Sequence, residues 1–170
     1  MKIIIIGLGL IGGSIAKTLS SSNDYEILAF DSDQKSIKNA LDNQSILGSL
    51  NSLNDLESVE YANSLVIIST PPNVTNNILK SLDFLFNSSL TITDTTSSKS
   101  SLNKTLQEFH FPENFIFSHP IAGSHLSGEE NSVANLFDGK STILSYHDSV
   151  TSKHLDRVKS LWSKLGSNIV

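Results

Sequence analysis

Residues 117–130 read FSHPIAGSHLSGEE and contain two of the five histidines in the chain. His119 ends an apolar run and is followed by a proline and a loop of small residues. Imidazole, with an ordinary pKa near ~6.5, can give or take a proton at neutral pH. A loop of small residues lets a ligand approach the backbone closely. Two readings follow: His119 is a general base for a ligand held by that loop, or it is a structural histidine capping a strand end. Upstream, DTTSSK (residues 94–99) ends another apolar run and supplies Ser97, whose hydroxyl can orient the same proton.

The start of the chain, IIIIGLGLIGGSIA, contains G-x-G-x-x-G at Gly7, Gly9 and Gly12, with a strand-like run before it and a helix-like run after it. Gly7 permits a tight turn, Gly9 lacks the Cβ that would hold the backbone away from a pyrophosphate, and Gly12 lets helix and strand approach. The free amides of the helix N-terminus then attract phosphates. The residues expected to touch a dinucleotide are Gly7, Leu8, Gly9, Leu10, Ile11 and Gly12. Asp31 ends the second apolar run, close to the ~20-residue offset of the acid that binds the adenosine ribose. A carboxylate there accepts from the ribose hydroxyls and repels a 2′-phosphate, which favours NAD over NADP. Asp33 is better explained as a helix N-cap. Ser69, Thr70 and Pro71, in STPP, are expected to line the same groove, although the prolines also stop a strand and start a helix. A nicotinamide beside a histidine suggests alcohol oxidation, in which hydride and hydroxyl proton leave together.

The elements must bring these residues to one place. Apolar runs at KIIIIG, YEILAFD, SLVIIST, SLTITD, NFIFSH and STILSY alternate with helical patterns at GGSIAKTLSS, DQKSIKNAL, NVTNNILKSLDFLF and SKSSLNKTLQEF. In TSKHLDRVKSLWSKL, Leu155, Val158, Leu161, Trp162 and Leu165 fall on one helical face. GEENSVANLF is expected to be helical, SILGSL a short strand, and GSNIV the opening of a further strand. Strands that are apolar throughout and separated by helices imply an α/β, Rossmann-type doubly wound, mainly parallel sheet. One domain over residues 1–170 is expected. Ligands then lie beyond the carboxyl ends of the strands.

Composition excludes several classes. The net charge of −5 argues against nucleic acid or an anionic membrane as partner. There is no cysteine, hence no disulfide, thiolate metal site or cysteine nucleophile, and no metal is expected. No run approaches the ~20 apolar residues of a membrane span. MKIIIIG is too short for a signal peptide and lacks a cleavage site. A cytoplasmic protein is expected.

The segments GLGLIGGSIA, DTTSSK and HPIAGSHLSG come in the order and at the approximate spacing of the prephenate dehydrogenase family, which the sequence resembles along its whole length. The most discriminating segment is HPIAGSHLSGEENSVANLFDGKSTIL. The resemblance implies NAD- or NADP-dependent oxidation of prephenate, or of its amino counterpart arogenate, with loss of the ring carboxylate. It implies that His119 takes the proton of the ring hydroxyl and that Ser97 hydrogen-bonds both that hydroxyl and His119. It implies a substrate loop at Gly123, Ser124 and His125. Relatives commonly have glycine at position 96, here Thr96, and a Glu-Lys pair where this chain has His125 and Leu126. They also carry a helical C-terminal domain that forms a homodimer and supplies cations for the substrate carboxylates. Residues 1–170 are therefore read as the nucleotide-binding half, with Lys99 as one candidate cation and Arg157, the sole arginine, on the last helix. A non-catalytic nucleotide-binding module is the alternative.

Overall fold

The side chains Ile3, Ile4, Ile5 and Ile6 are each at most 1% exposed, which requires cover on both faces of their strand. The structure, a computed structural model, shows how that cover arises and describes residues 1–123 and 128–170. The strands are β1 (Lys2–Ile6), β2 (Glu26–Phe30), β3 (Gly48–Ser49), β4 (Ser64–Ile68), β5 (Thr91–Asp94), β6 (Phe115–Pro120), β7 (Ser141–Ser145) and β8 (Asn168–Ile169). They form one sheet in the order β3-β2-β1-β4-β5-β6-β7-β8. Every pairing is parallel except β6 with β7.

The helices are α1 (Leu10–Leu19), α2 (Gln34–Asp42), α3 (Pro72–Ser81), α4 (Ser100–Glu108) and α5 (Ser152–Lys164). One face of the sheet packs Ile3, Ile5, Leu65, Ile67 and Ile116 against α1, α2 and α5. The other packs Ile4, Ile6, Val66, Ile68 and Phe117 against α3 and α4. Alternate residues of one strand thus enter different cores. Burying each such aliphatic side chain contributes about 1.5–3 kcal/mol. Val158, Leu161, Trp162 and Leu165 of α5 are buried as the helical spacing requires, and Phe137 meets Trp162 edge-on at 5.4 Å.

The α/β, doubly wound, mainly parallel architecture expected from the sequence is the observed one. Asp33 caps α2, accepting from the amides of Lys35 at 3.0 Å and Ser36 at 3.3 Å. One expected element is corrected. The segment read as a helix from residue 128 to 137 contains only a single 3-10 turn, Glu129–Asn131. Its later amides donate to α1 side chains instead: Val133 to Ser14 Oγ at 3.0 Å and Asn135 to Thr18 Oγ1 at 3.1 Å. Asn135 also has φ +64°, which no α-helix continues through.

Gly12 sits where α1 crosses the turn after β1. A Cβ on Gly12 would lie 1.9 Å from the Gly7 carbonyl oxygen, whereas one on Gly9 would meet nothing within 4 Å. Gly12→Ala is therefore expected to destabilise the fold by about 3 kcal/mol or more, and Gly9→Ala by less than about 1 kcal/mol. Urea unfolding of the two variants checks this; equal losses would contradict it.

Candidate active site at the carboxyl edge of the sheet

The register brings the ends of five strands to one edge. Ile6 pairs with Ile68, Ile68 with Asp94, and Asp94 with Phe117. Gly7, Asp31, Ser69 and Thr95 thus follow directly on the same edge, and His119 stands two residues beyond that level, roughly 7 Å. Gly7 has φ +97°, a conformation that favours glycine, and its amide donates to the Phe30 carbonyl at 2.8 Å. The chain then enters α1 with Gly9 as N-cap, which supplies no side-chain acceptor. The first-turn amides have no intrahelical partner either. Gly9, Leu10 and Ile11 line a groove of about 350 Å³ whose far wall holds Ser69, Thr70, Pro71 and Thr95. The helix terminus, the open space at Gly9 and the clear approach to both fit a pyrophosphate.

Leu8 does not line this groove. Its side chain is fully buried in the core, and its amide donates to Asp31 Oδ2 at 2.6 Å. The Leu8 amide thus holds the turn to β2, and its side chain is turned away from the groove where a cofactor contact was expected. Asp31 Oδ1 accepts from the Asp33 amide at 2.8 Å. Each carboxylate oxygen keeps a further lone pair for a ligand. Beside Asp31 lies a mostly apolar cavity of about 160 Å³ between Ser32 and the α3 residues Val74 and Ile78.

The other end of the edge is organised by Asp94, which is fully buried. Its Oδ2 accepts from Lys99 Nζ at 2.5 Å, from Thr96 Oγ1 at 2.5 Å and from the Thr96 amide at 3.0 Å. Its Oδ1 accepts from the Ser118 amide at 3.4 Å, while Lys99 Nζ donates to the Ser118 carbonyl at 2.7 Å. Both backbone groups of Ser118 are therefore held by one ion pair, directly before His119. On the opposite face Ser118 Oγ accepts from Trp162 Nε1 at 2.9 Å and contacts Thr93 Oγ1 at 2.7 Å. Burial pushes the Lys99 ammonium below its ordinary pKa, with Asp94 opposing that shift. Lys99, read as one candidate cation for a substrate, is thus engaged within the protein by Asp94 and the Ser118 carbonyl.

His119 alternates with Ser118 and so shares the face of Phe117, on the α3–α4 side. It lines an open groove with Pro120, Ile121, Ala122 and Gly123. Ala122 and Gly123 also line the groove at Gly9, so the two adjoin. Ser97 is exposed in the turn between β5 and α4. Among the described residues neither its hydroxyl nor the His119 ring has a hydrogen-bond partner, so the Ser97–His119 bond implied by the resemblance is not formed. Ser124 and His125 lie outside the described residues. Arg157 sits at the opposite edge, where its Nη1 donates to the Ser64 carbonyl at 3.2 Å and to Thr91 Oγ1 at 2.9 Å, at the beginnings of β4 and β5. Among the described residues no cluster of histidine and carboxylate side chains could hold a metal.

Sequence reasoning singled out Ser97 in DTTSSK and missed Asp94. The available signal was an acid closing a strand with a lysine five residues on. Asp94→Ala strands a partly buried lysine and frees the Thr96 and Ser118 amides. It is expected to cost about 3 kcal/mol in urea unfolding; a loss below about 1 kcal/mol would show that Asp94 does not anchor this edge.

Comparison with known proteins matches this arrangement. The family model described as prephenate dehydrogenase, nucleotide-binding domain, matches residues 15–170. A prephenate dehydrogenase of Lactococcus lactis is 35% identical over 150 residues, covering 85% of this chain and 40% of that protein. A cyclohexadienyl dehydrogenase of Zymomonas mobilis is 29% identical over 171 residues, covering 98% of this chain and 56% of its own length. The chain thus spans about half the length of these relatives. A crystal structure of prephenate dehydrogenase from Aquifex aeolicus, in complex with hydroxyphenyl propionate and NAD⁺, superposes with a TM-score of 0.88 at 30% identity, covering all of this chain and 59% of that one. With its glycine turn, acidic second-strand end and edge histidine on one sheet, the chain belongs to the family of prephenate dehydrogenase nucleotide-binding domains.

Proposed function

We propose that residues 1–170 bind NAD and form the dinucleotide-binding half of a cytoplasmic prephenate dehydrogenase. The observation that carries this reading is the shared edge: the groove at Gly9 runs into the groove at His119 through Ala122 and Gly123. The NAD⁺ complex of the Aquifex aeolicus relative supports it. The amides of Leu10 and Ile11 and the N-terminus of α1 hold the pyrophosphate. Asp31 accepts from the adenosine ribose with its remaining lone pairs and disfavours a 2′-phosphate. Val74 and Ile78 give the adenine an apolar wall. When bound, NAD supplies the hydride acceptor for the alcohol carbon. His119 takes the hydroxyl proton as the carbonyl forms, and Ser97 orients that hydroxyl. The ring carboxylate leaves as carbon dioxide as the ring becomes aromatic, giving 4-hydroxyphenylpyruvate. Gly123, with Ser124 and His125, borders the substrate.

A dianionic substrate needs cations. Lys99 is bound to Asp94 and the Ser118 carbonyl, and Arg157 is at the other edge. We assign the missing cations, and the contact that forms a homodimer, to chain beyond these residues. No helix among the described residues is long and apolar enough to cross a membrane.

Calorimetric titration tests the binding part: NAD⁺ should bind, NADP⁺ should bind more weakly, and Asp31→Ala should narrow the difference. If NADP⁺ bound as well as NAD⁺, the role of Asp31 would be wrong. In a protein extended by the cation-bearing portion, His119→Asn is expected to lower kcat by about 10²–10⁴-fold with NAD⁺ affinity unchanged. Intact turnover would show that His119 is not the base, whereas NAD⁺ binding without turnover in the extended wild-type protein would favour a non-catalytic nucleotide-binding module. Assay with prephenate and arogenate in parallel separates the two substrates, and prompt turnover of either by residues 1–170 alone would refute the cation assignment.

A further inference from the structure

The segment after Gly128 runs along the outer surface of α1 as a strap. Lys17 Nζ, in the last turn of α1, lies 3.1 Å from Glu129 Oε1 and donates to the Ser132 carbonyl at 3.0 Å. Asn43 Nδ2, just past α2, donates to the same carboxylate at 3.4 Å. Glu129 is only 2% exposed. Ser132 lies so close to Gly13 that a Cβ there would come within 2.8 Å of its side chain. Val133 and Asn135 bond Ser14 and Thr18 further along the helix. A carboxylate that loses water to this extent must be held by its partners, and here they come from the last turn of α1 and the residue just after α2. Gly128, bonded directly to Glu129, lines the dinucleotide groove together with Ile11, Thr95 and Gly123. It does not line the cavity beside Asp31.

We infer that the Glu129–Lys17 pair is a clasp that sets the position of Gly128 against α1 and so shapes the wall of the groove at the end remote from Asp31. The inference rests on the dinucleotide reading above and deepens it. Glu129 and Lys17 are positioning residues: they touch neither ligand nor reacting atoms, and act through the backbone at Gly128. Their influence falls on the half of the ligand beyond the pyrophosphate, because the adenosine end is built by Asp31, Val74 and Ile78 from other elements.

The test is calorimetric titration of the 170-residue chain with NAD⁺ and, separately, with ADP, which lacks the nicotinamide riboside. Wild type is compared with Glu129→Gln, Lys17→Met and the double variant, each melted alongside. Each single change is expected to weaken NAD⁺ about tenfold while ADP affinity stays as in wild type. The double variant is expected to be no worse than the poorer single one, because the two residues act as one unit. Unchanged NAD⁺ affinity in both single variants overturns the clasp. So does a parallel loss of NAD⁺ and ADP affinity, or a lowered melting temperature with an unchanged NAD⁺-to-ADP ratio, either of which marks a purely structural strap. A wild-type chain that binds neither ligand overturns the dinucleotide reading and the clasp with it.

Discussion

Parallel pairing of β2 with β1, β1 with β4, β4 with β5 and β5 with β6 puts five strand ends at one edge, and the candidate functional residues depend on that edge. A parallel ladder needs a crossover between strands, so consecutive ends are far apart in sequence yet adjacent in space. Gly7, Ser69, Thr95 and His119 meet only for this reason. A slip of one residue in β6 would turn the His119 side chain to the face of Ser118 and Trp162. The device that holds β6 in place is the Asp94–Lys99 pair on both backbone groups of Ser118.

Charge is sparse, and three cations are turned inward. Lys99, Lys17 and Arg157 each bind backbone carbonyls of neighbouring elements, and the first two also pair with buried acids. Cations placed this way join elements of the fold rather than present a surface to anions. That fits a net charge of −5 and the proposal that helix amides rather than side-chain charge hold the phosphates. It also separates two tasks within the proposed enzyme, binding of a dinucleotide by backbone here and binding of substrate carboxylates by cations elsewhere.

The α1 helix serves three purposes at once. Its N-terminus faces the groove, its inner face fills one core with Ile15, Ala16 and Leu19, and its outer face carries the strap through Gly13, Ser14, Lys17 and Thr18. Small residues at positions 12 and 13 permit both close approaches. A displacement of the helix is therefore felt at the glycine turn and at Gly128 together.

The sequence by itself determined the fold class, the glycine turn, the cap at Asp33 and the placing of His119 at a strand end. These rest on local patterns: apolar runs of strand length, helical spacing, and glycine where φ or contact demands it. Family membership was legible too, through the block that begins at His119. Tertiary structure decided the rest. Leu8, Lys99 and Glu129 carry no sign of their partners in the sequence, and only packing shows that one closes a turn on Asp31, one is held by Asp94, and one is buried against α1. The helix expected after residue 128 failed because its amides found partners on another helix. Partners far apart in the chain leave no periodic signal, so burial and pairing of polar groups had to be read from the folded chain.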